Sequence, residues 1–447
     1  MRKVYTLLAI LLVLTACQKE RDESDILDIE LNSALFNASD GVGRSFFKLP
    51  ESNQLNEIPQ DPQNPLTSQK VALGKMLFHE TGLGVNPKDA VSLQTYSCAS
   101  CHFAGAGFQA GIRQGIGEGG IGFGVNGEGR FHNPDYTPSD MDIQPLRTPS
   151  AMNGAYQKNL LWNGQFGATG VNRSLSDLWA NVDDSSPLKV NDLGFEGLET
   201  QAIAGLGVHR MDCTPEMVEI GGYQSMFDAA FSDIPTPERY ELSQAGLAIA
   251  AYERTLLANQ TPFQQWLRGN NGAMSKSEKR GAIVFFETAN CVGCHTGPAL
   301  NSMEFHAYGM EDLEGAQVTN YDPDDVAHKG RGGFTKRTSD EYKFKVPQLY
   351  NLTDSPFYGH GGSFHSIRAV VEYKNNGQAE NHNVPATQLS EEFEPLHLSS
   401  QEIEDLVLFL EHSLYDSDLK RYEPTELPTG NCFPNSDETS KGDLGCE

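Results

Sequence analysis

The sequence predicts a mainly α-helical chain built from two similar units, with long loops and a charged tether near its N-terminus. Three observations carry this. Few stretches show the strict apolar–polar alternation that marks a strand. Capped amphipathic helices recur in the same order in the two halves. Each half also holds one Cys-x-x-Cys-His motif, at Cys98 to His102 and at Cys291 to His295. A length of 447 residues exceeds one ordinary core and fits two domains with extensions.

The N-terminus sets the compartment. Arg2 and Lys3 precede an apolar run, Leu7 to Leu14, that is too short to span a bilayer. Leu14-Thr15-Ala16-Cys17 resembles a bacterial lipobox, which implies cleavage before Cys17 and lipidation there. An uncleaved anchor helix is the alternative. No later segment approaches the ~20 apolar residues that a spanning helix needs. The expectation is a periplasmic or envelope protein held to a bacterial membrane by lipid alone. Residues 1–17 are then signal peptide and 18–65 tether and loops, with charged Gln18 to Glu30 expected to be disordered. The two domains follow at 66–262 and 263–425, with a tail at 426–447.

The helices can be justified in order. Thr67 or Ser68 can cap the first, whose apolar face is Val71, Leu73, Met76, Leu77 and Phe78. The glycine-rich stretch 104–130 contains G-x-G-x-x-G at Gly115 to Gly120, but no strand precedes it and no helix follows. It is read as a flexible loop folded over a cofactor. Leu242 to Ala258 predicts a long amphipathic helix. Ser275 or Ser277 can cap the next, through Ile283, Val284 and Phe285. Ser399 and Glu402 form a capping-box pattern ahead of Ile403, Leu406, Val407 and Leu410. Loop composition returns after Pro424.

The two motifs carry the chemistry. Cys98, Cys101 and His102, and again Cys291, Cys294 and His295, stand at the spacing that c-type haem attachment requires. Two thiols one turn apart add to the two vinyl groups of one porphyrin, and the adjacent histidine reaches the iron. Composition alone predicts about 0.004 such matches in this chain, so two are not coincidence. Zinc sites do not need the histidine, and thioredoxin-like chemistry needs a βαβ setting that is absent. Two covalent haem c groups in two cytochrome c-like domains are therefore expected.

Charge and cysteine usage narrow the partners. A net charge of -27 argues against nucleic acid and anionic membrane surfaces, and favours a basic or neutral redox partner. Beyond the lipobox and the motifs, Cys213, Cys432 and Cys446 remain. Two of them can pair outside the cytoplasm, in a combination the sequence leaves open.

Further segments give a resemblance. In order they are Leu73-Gly-Lys-Met-Leu-Phe78, Gly107-Phe108, Arg147-Thr-Pro-Ser150 with Asn153, Leu161-Trp162-Asn-Gly164, Tyr252-Glu-Arg-Thr-Leu256, Pro262-Phe263, Cys294-His-Thr-Gly-Pro298 and Phe344-Lys-Val-Pro347. With the two haem motifs they resemble the bacterial dihaem cytochrome c peroxidase family, including its methylamine-dehydrogenase-maturing relatives, over roughly residues 65–415. The resemblance implies reduction of hydrogen peroxide with electrons from a small cytochrome or cupredoxin donor, and a possible homodimer. It assigns peroxide chemistry to the His102 haem, electron entry to the His295 haem, and a relay between them to Trp162.

The sequence departs from the family where acid–base catalysis is expected. The family glutamate is missing, and Gln201 to Met211 carries His209 and Arg210 instead. A neutral imidazole can move a proton and a guanidinium can stabilise negative charge. His209 and Arg210 are read as the distal pair, with an iron ligand at His209 or a structural pair as alternatives. Glu196 and Glu199 lie nearby but out of register. His132 is a candidate removable ligand of the first haem. At the second, where the family offers Met or Tyr, Tyr373 and Lys374 compete with Met303 and Met310. The family's calcium site has an asparagine where this chain has Thr148, so calcium is not expected. A non-enzymatic electron carrier and an oxidase of another substrate are the competing functions.

Overall fold

The computed structural model describes residues 23–316 and 318–446; the lipobox at Cys17 lies outside them. Most regular structure is helical. Strands form two short antiparallel pairs, Gly120–Ile121 with Phe131–His132 and Phe305–His306 with Phe344–Lys345. No helix among the described residues is long and apolar enough to cross a membrane.

Two helical groups repeat one plan. In the first, Thr67 caps Ser68–His79 by accepting from the Lys70 amide at 3.1 Å. That helix crosses Leu242–Glu253, against which Gly197–Val208 also packs. In the second, Ser275 and Glu278 form the capping box of Lys276–Ile283, which crosses Ser400–Leu408, itself capped by Ser399 and Glu402. Each crossing depends on a glycine. A Cβ on Gly74 would lie 1.8 Å from the Ala248 carbonyl oxygen, and one on Gly281 would lie 1.9 Å from that of Asp405. The backbones touch because nothing stands between them. Leu242–Glu253 ends sooner than expected, because the Thr255 and Leu256 amides close a turn on Tyr252 and Glu253.

Two expectations are corrected. Disorder through Glu30 does not hold for the described part, since Glu23–Ala38 is a helix packed on Lys276–Ile283. Leu27, Leu31, Ala34 and Leu35 supply its buried face. The charge that suggested disorder is partly structural: Asp28 is buried, 2.7 Å from Lys279 Nζ, and accepts from the Trp266 indole at 2.7 Å. The tail beyond Pro424 is not all loop either. It contains the helix Glu438–Leu444 and the disulfide Cys432–Cys446, leaving Cys213 buried and unpaired.

That tail straps the first Cys-x-x-Cys-His motif. Ser97 Oγ donates to the Pro434 carbonyl at 2.9 Å, and the Ser436 amide to that of Thr95 at 2.9 Å. Asp443 accepts from the Phe123 and Gly124 amides of the glycine-rich loop at 2.8 and 2.9 Å. Closing a loop of ~15 residues stabilises by about 3 kcal/mol through the unfolded chain. Cys446→Ser is therefore expected to lower stability by about that much, and to speed amide hydrogen exchange at Ser97–Ser100 in the oxidised protein. Unchanged exchange there would show that the strap does not depend on the disulfide.

Candidate functional site

The two motifs fold alike. In the first, the Cys101 and His102 amides both donate to the Cys98 carbonyl, at 3.2 and 3.1 Å. In the second, Cys294 and His295 do the same to Cys291, at 3.2 and 2.9 Å. Each turn sets its cysteines one turn apart and presents the histidine next to them. Each imidazole is then oriented through Nδ1: His102 donates to the Phe108 carbonyl at 3.0 Å, and His295 faces those of Leu300 and Pro347 at 3.2 and 3.0 Å. Phe108 and Leu300 both hold left-handed φ values, of 55° and 48°. For such side chains this conformation is costly and is kept only where the fold imposes it. Here it aims the two carbonyls at the two rings and leaves each Nε2 for a metal.

These residues fit haem. The four motif cysteines are free, whereas Cys432 and Cys446 are joined. Burial pushes the Cys101 and Cys291 thiols up to about 12. Burial also pushes His102 and His295 down to about 4, which keeps both rings neutral, the form that binds a metal. Both motifs open onto one cavity of about 1140 Å³, more than the ~300–1,000 Å³ of a pocket for one small ligand. Much of its wall is apolar, including Phe78, Leu206, Ile249, Phe285, Val346 and Val371. As expected, the glycine-rich loop closes part of it, with Gly115 and Gly117 on the wall.

His209 lies on this wall, at the C-terminal end of Gly197–Val208. Its Nδ1 donates to Asp142 Oδ2 at 2.8 Å, so Nε2 is left free. Burial alone would lower the imidazole's pKa, but the Asp142 carboxylate outweighs it through charge and hydrogen bond, and the net shift is upward. Asp142 is buried and also lines the cavity. It was invisible in the sequence, because 67 residues separate it from His209 and no motif contains it.

Arg210 is not beside His209 on the wall. Its backbone turns left-handed, with φ 55°, and its guanidinium pairs with buried Glu118 and donates to the Asp140 carbonyl at 2.8 Å. Arg210 is thus held away from His209, whose hydrogen-bond partner is Asp142. Trp162 does line the cavity, its indole donating to the Arg147 carbonyl at 2.7 Å. His132 does not, and its Nε2 is held by the Tyr136 carbonyl at 2.8 Å. Met310 and Lys374 line the cavity, while Met303 and Tyr373 do not. Glu196 and Glu199 are bound to Arg254. Glu253, which sequence reasoning passed over, is on the wall, and burial, reinforced by Glu199, raises its carboxyl to about 8.

The family model described as di-haem cytochrome c peroxidase matches residues 68–272. Among curated proteins, the methylamine utilization protein MauG of Methylorubrum extorquens is 28% identical over 371 residues, covering 82% of each chain. A cytochrome-c peroxidase of Denitromonas iodatirespirans is 28% identical, over 81% of this chain and 86% of its own. The cytochrome c551 peroxidase of Pseudomonas aeruginosa is 24% identical, over 84% and 85%. Among solved structures, a MauG-like protein associated with microbial copper homeostasis has a TM-score of 0.55 at 22% identity, over 83% of this chain and 95% of its own. The diheme peroxidase BthA of Burkholderia thailandensis has a TM-score of 0.51 at 18% identity, over 82% and 90%. These two share the fold.

Proposed function

We propose that this chain, a member of the di-haem cytochrome c peroxidase family, reduces hydrogen peroxide to water with electrons from a small cytochrome or cupredoxin. The observation that supports this most is the single cavity that joins two haem-attachment motifs, Trp162 and the His209–Asp142 pair. Cys98, Cys101 and His102 would hold one haem, and Cys291, Cys294 and His295 the other. When bound, the two groups supply electron transfer and, at the His102 site, peroxide binding and cleavage.

The protein's own part is protonic and positional. One turnover consumes one peroxide, two electrons and two protons, and yields two waters. His209 Nε2 accepts the proton of one peroxide oxygen and returns it to the departing one. Asp142 fixes the ring orientation and steadies the imidazolium that forms between these steps. Trp162, anchored by Arg147, serves as the relay between the sites. Domains at 66–262 and 263–425, a periplasmic or envelope location, and lipid attachment at Cys17 complete the reading.

Turnover of peroxide by the purified holoprotein with a reduced small cytochrome tests it, alongside a haem count of two per chain. Two haems with no peroxide consumption under any donor would overturn it in favour of an electron carrier. A second reading, oxidation of another substrate, is favoured by the likeness to the methylamine utilization protein; peroxide consumption without oxidation of any donor cytochrome would support it. Trp162→Phe is expected to keep both haems and slow re-reduction of the His102 site after a peroxide pulse by at least roughly tenfold, about 1.4 kcal/mol in barrier. An unchanged rate would remove Trp162 from the path.

A further inference from the structure

The helix Ile367–Asn376 turns one face to the cavity beside the second motif. Ile367, Val370, Val371 and Lys374 all line that cavity. They stand at i, i+3, i+4 and i+7, the stripe that one side of an α-helix presents. Three are apolar, as a porphyrin face requires. The fourth is an amine. Its Nζ rests 3.1 Å from the centroid of the Tyr308 ring, and among the described residues no carboxylate forms an ion pair with it. It is near enough to His295, Cys291 and Cys294 for its charge to act on all three.

A lysine in such a place needs an explanation. Lys374 is half-buried, and its placement is what stands out: an amine on an otherwise apolar stripe that faces the cavity beside the second motif. A neutral amine has a lone pair, and a lone pair beside haem-binding residues has an evident acceptor. From this geometry we infer that Lys374 Nζ is the second axial ligand of the His295 haem, giving that iron a histidine–lysine pair. The inference rests on reading Cys291, Cys294 and His295 as a haem-attachment site.

The rivals are placed less well. The Tyr373 hydroxyl is spent on the Tyr308 carbonyl, its ring lies against Phe364 and Phe393, and it is not on the cavity wall. Met303 is not on the wall. His306 is held by Glu304 at 3.4 Å and Glu392 at 3.5 Å. Met310 and His306 both line the cavity, His306 Nε2 lying 3.7 Å from Cys294 Sγ, and these two are the serious competitors.

The test is spectroscopic and does not depend on turnover. Haem content of the full chain is measured first, and two per chain establishes the attachment reading on its own. Electron paramagnetic resonance and near-infrared magnetic circular dichroism of the oxidised holoprotein then report the axial pair. Wild type is expected to show one low-spin haem with imidazole and amine ligands. Lys374→Ala and Lys374→Arg should both lose that signal and gain a high-spin one, since Arg keeps the charge but offers no lone pair. Lys374→Met should restore a low-spin haem with thioether charge transfer and a higher potential. Tyr373→Phe and Met310→Leu should match wild type. The proposal is overturned if Lys374→Ala and Lys374→Arg, each with two haems, keep the wild-type signal. It is equally overturned if Met310→Leu alone converts the haem to high spin.

Discussion

His209→Ala is expected to lower peroxide turnover by about 10²–10⁴-fold, the range that a positioned acid–base group contributes, while both haems stay attached. The imidazole is on the cavity wall, and Nε2 is its free nitrogen because Asp142 occupies Nδ1. Neither residue contacts the motif cysteines through a hydrogen bond, so haem content is a clean control. The pH profile adds a sign. The base must be neutral to accept a proton, so activity rises as pH rises through the His209 pKa. Asp142 has moved that pKa above the usual imidazole value, so the acid limb sits higher than an isolated histidine would place it. Asp142→Asn removes the charge and should shift the limb to lower pH while slowing the maximal rate. Full activity in His209→Ala, or an acid limb unmoved in Asp142→Asn, would defeat the assignment.

The parts of this protein that were legible in sequence are local. A Cys-x-x-Cys-His turn needs only five consecutive residues, and the two amide bonds to its first carbonyl that close it fall within them. Capping boxes such as Ser399 with Glu402 are equally self-contained. What escaped depends on distant chain segments meeting. Asp142 reaches His209 only because the loop after the first motif folds back. Arg210 and His209 are adjacent in sequence, yet a single left-handed residue sends their side chains to different partners. The same limit explains the N-terminal helix. Asp25, Asp28 and Glu30 gave Gln18 to Glu30 a disordered composition, although Leu27, Leu31, Ala34 and Leu35 carried a helical period straight through the boundary. Composition averaged over a window hid a pattern that spacing contained. The choice among Tyr373, Lys374, Met303 and Met310 was closed to sequence for a different reason. Neighbouring positions on a helix point about 100° apart, and which one faces a cavity depends on how the helix is docked.

Arg254→Met is expected to destabilise the fold by about 3–5 kcal/mol, the cost of leaving a buried carboxylate without its partner. Arg254 and Glu199 have fully buried side chains. The guanidinium grips Glu199 with two bonds, Nε to Oε1 at 2.8 Å and Nη2 to Oε2 at 2.7 Å, adds Glu196 at 3.2 Å, and donates to the Pro59 carbonyl at 3.0 Å. Such a fork is specific to arginine, so Arg254→Lys should recover only part of the loss. Replacing both partners, as in Arg254→Met with Glu199→Leu, leaves no stranded charge and should return most of the stability. Denaturant unfolding at matched haem content separates these three variants. A single variant as stable as wild type would mean that water reaches Glu199 in its absence. The pair also bears on catalysis. Glu199 sits in Gly197–Val208, the helix that ends at His209, and Arg254 follows directly on Leu242–Glu253. The fork therefore fixes how far along its neighbour the His209 helix lies. Arg254→Lys, in which charge is kept and geometry is loosened, should accordingly lower turnover more than its stability loss explains, with the pH limb of His209 unmoved because Asp142 is untouched.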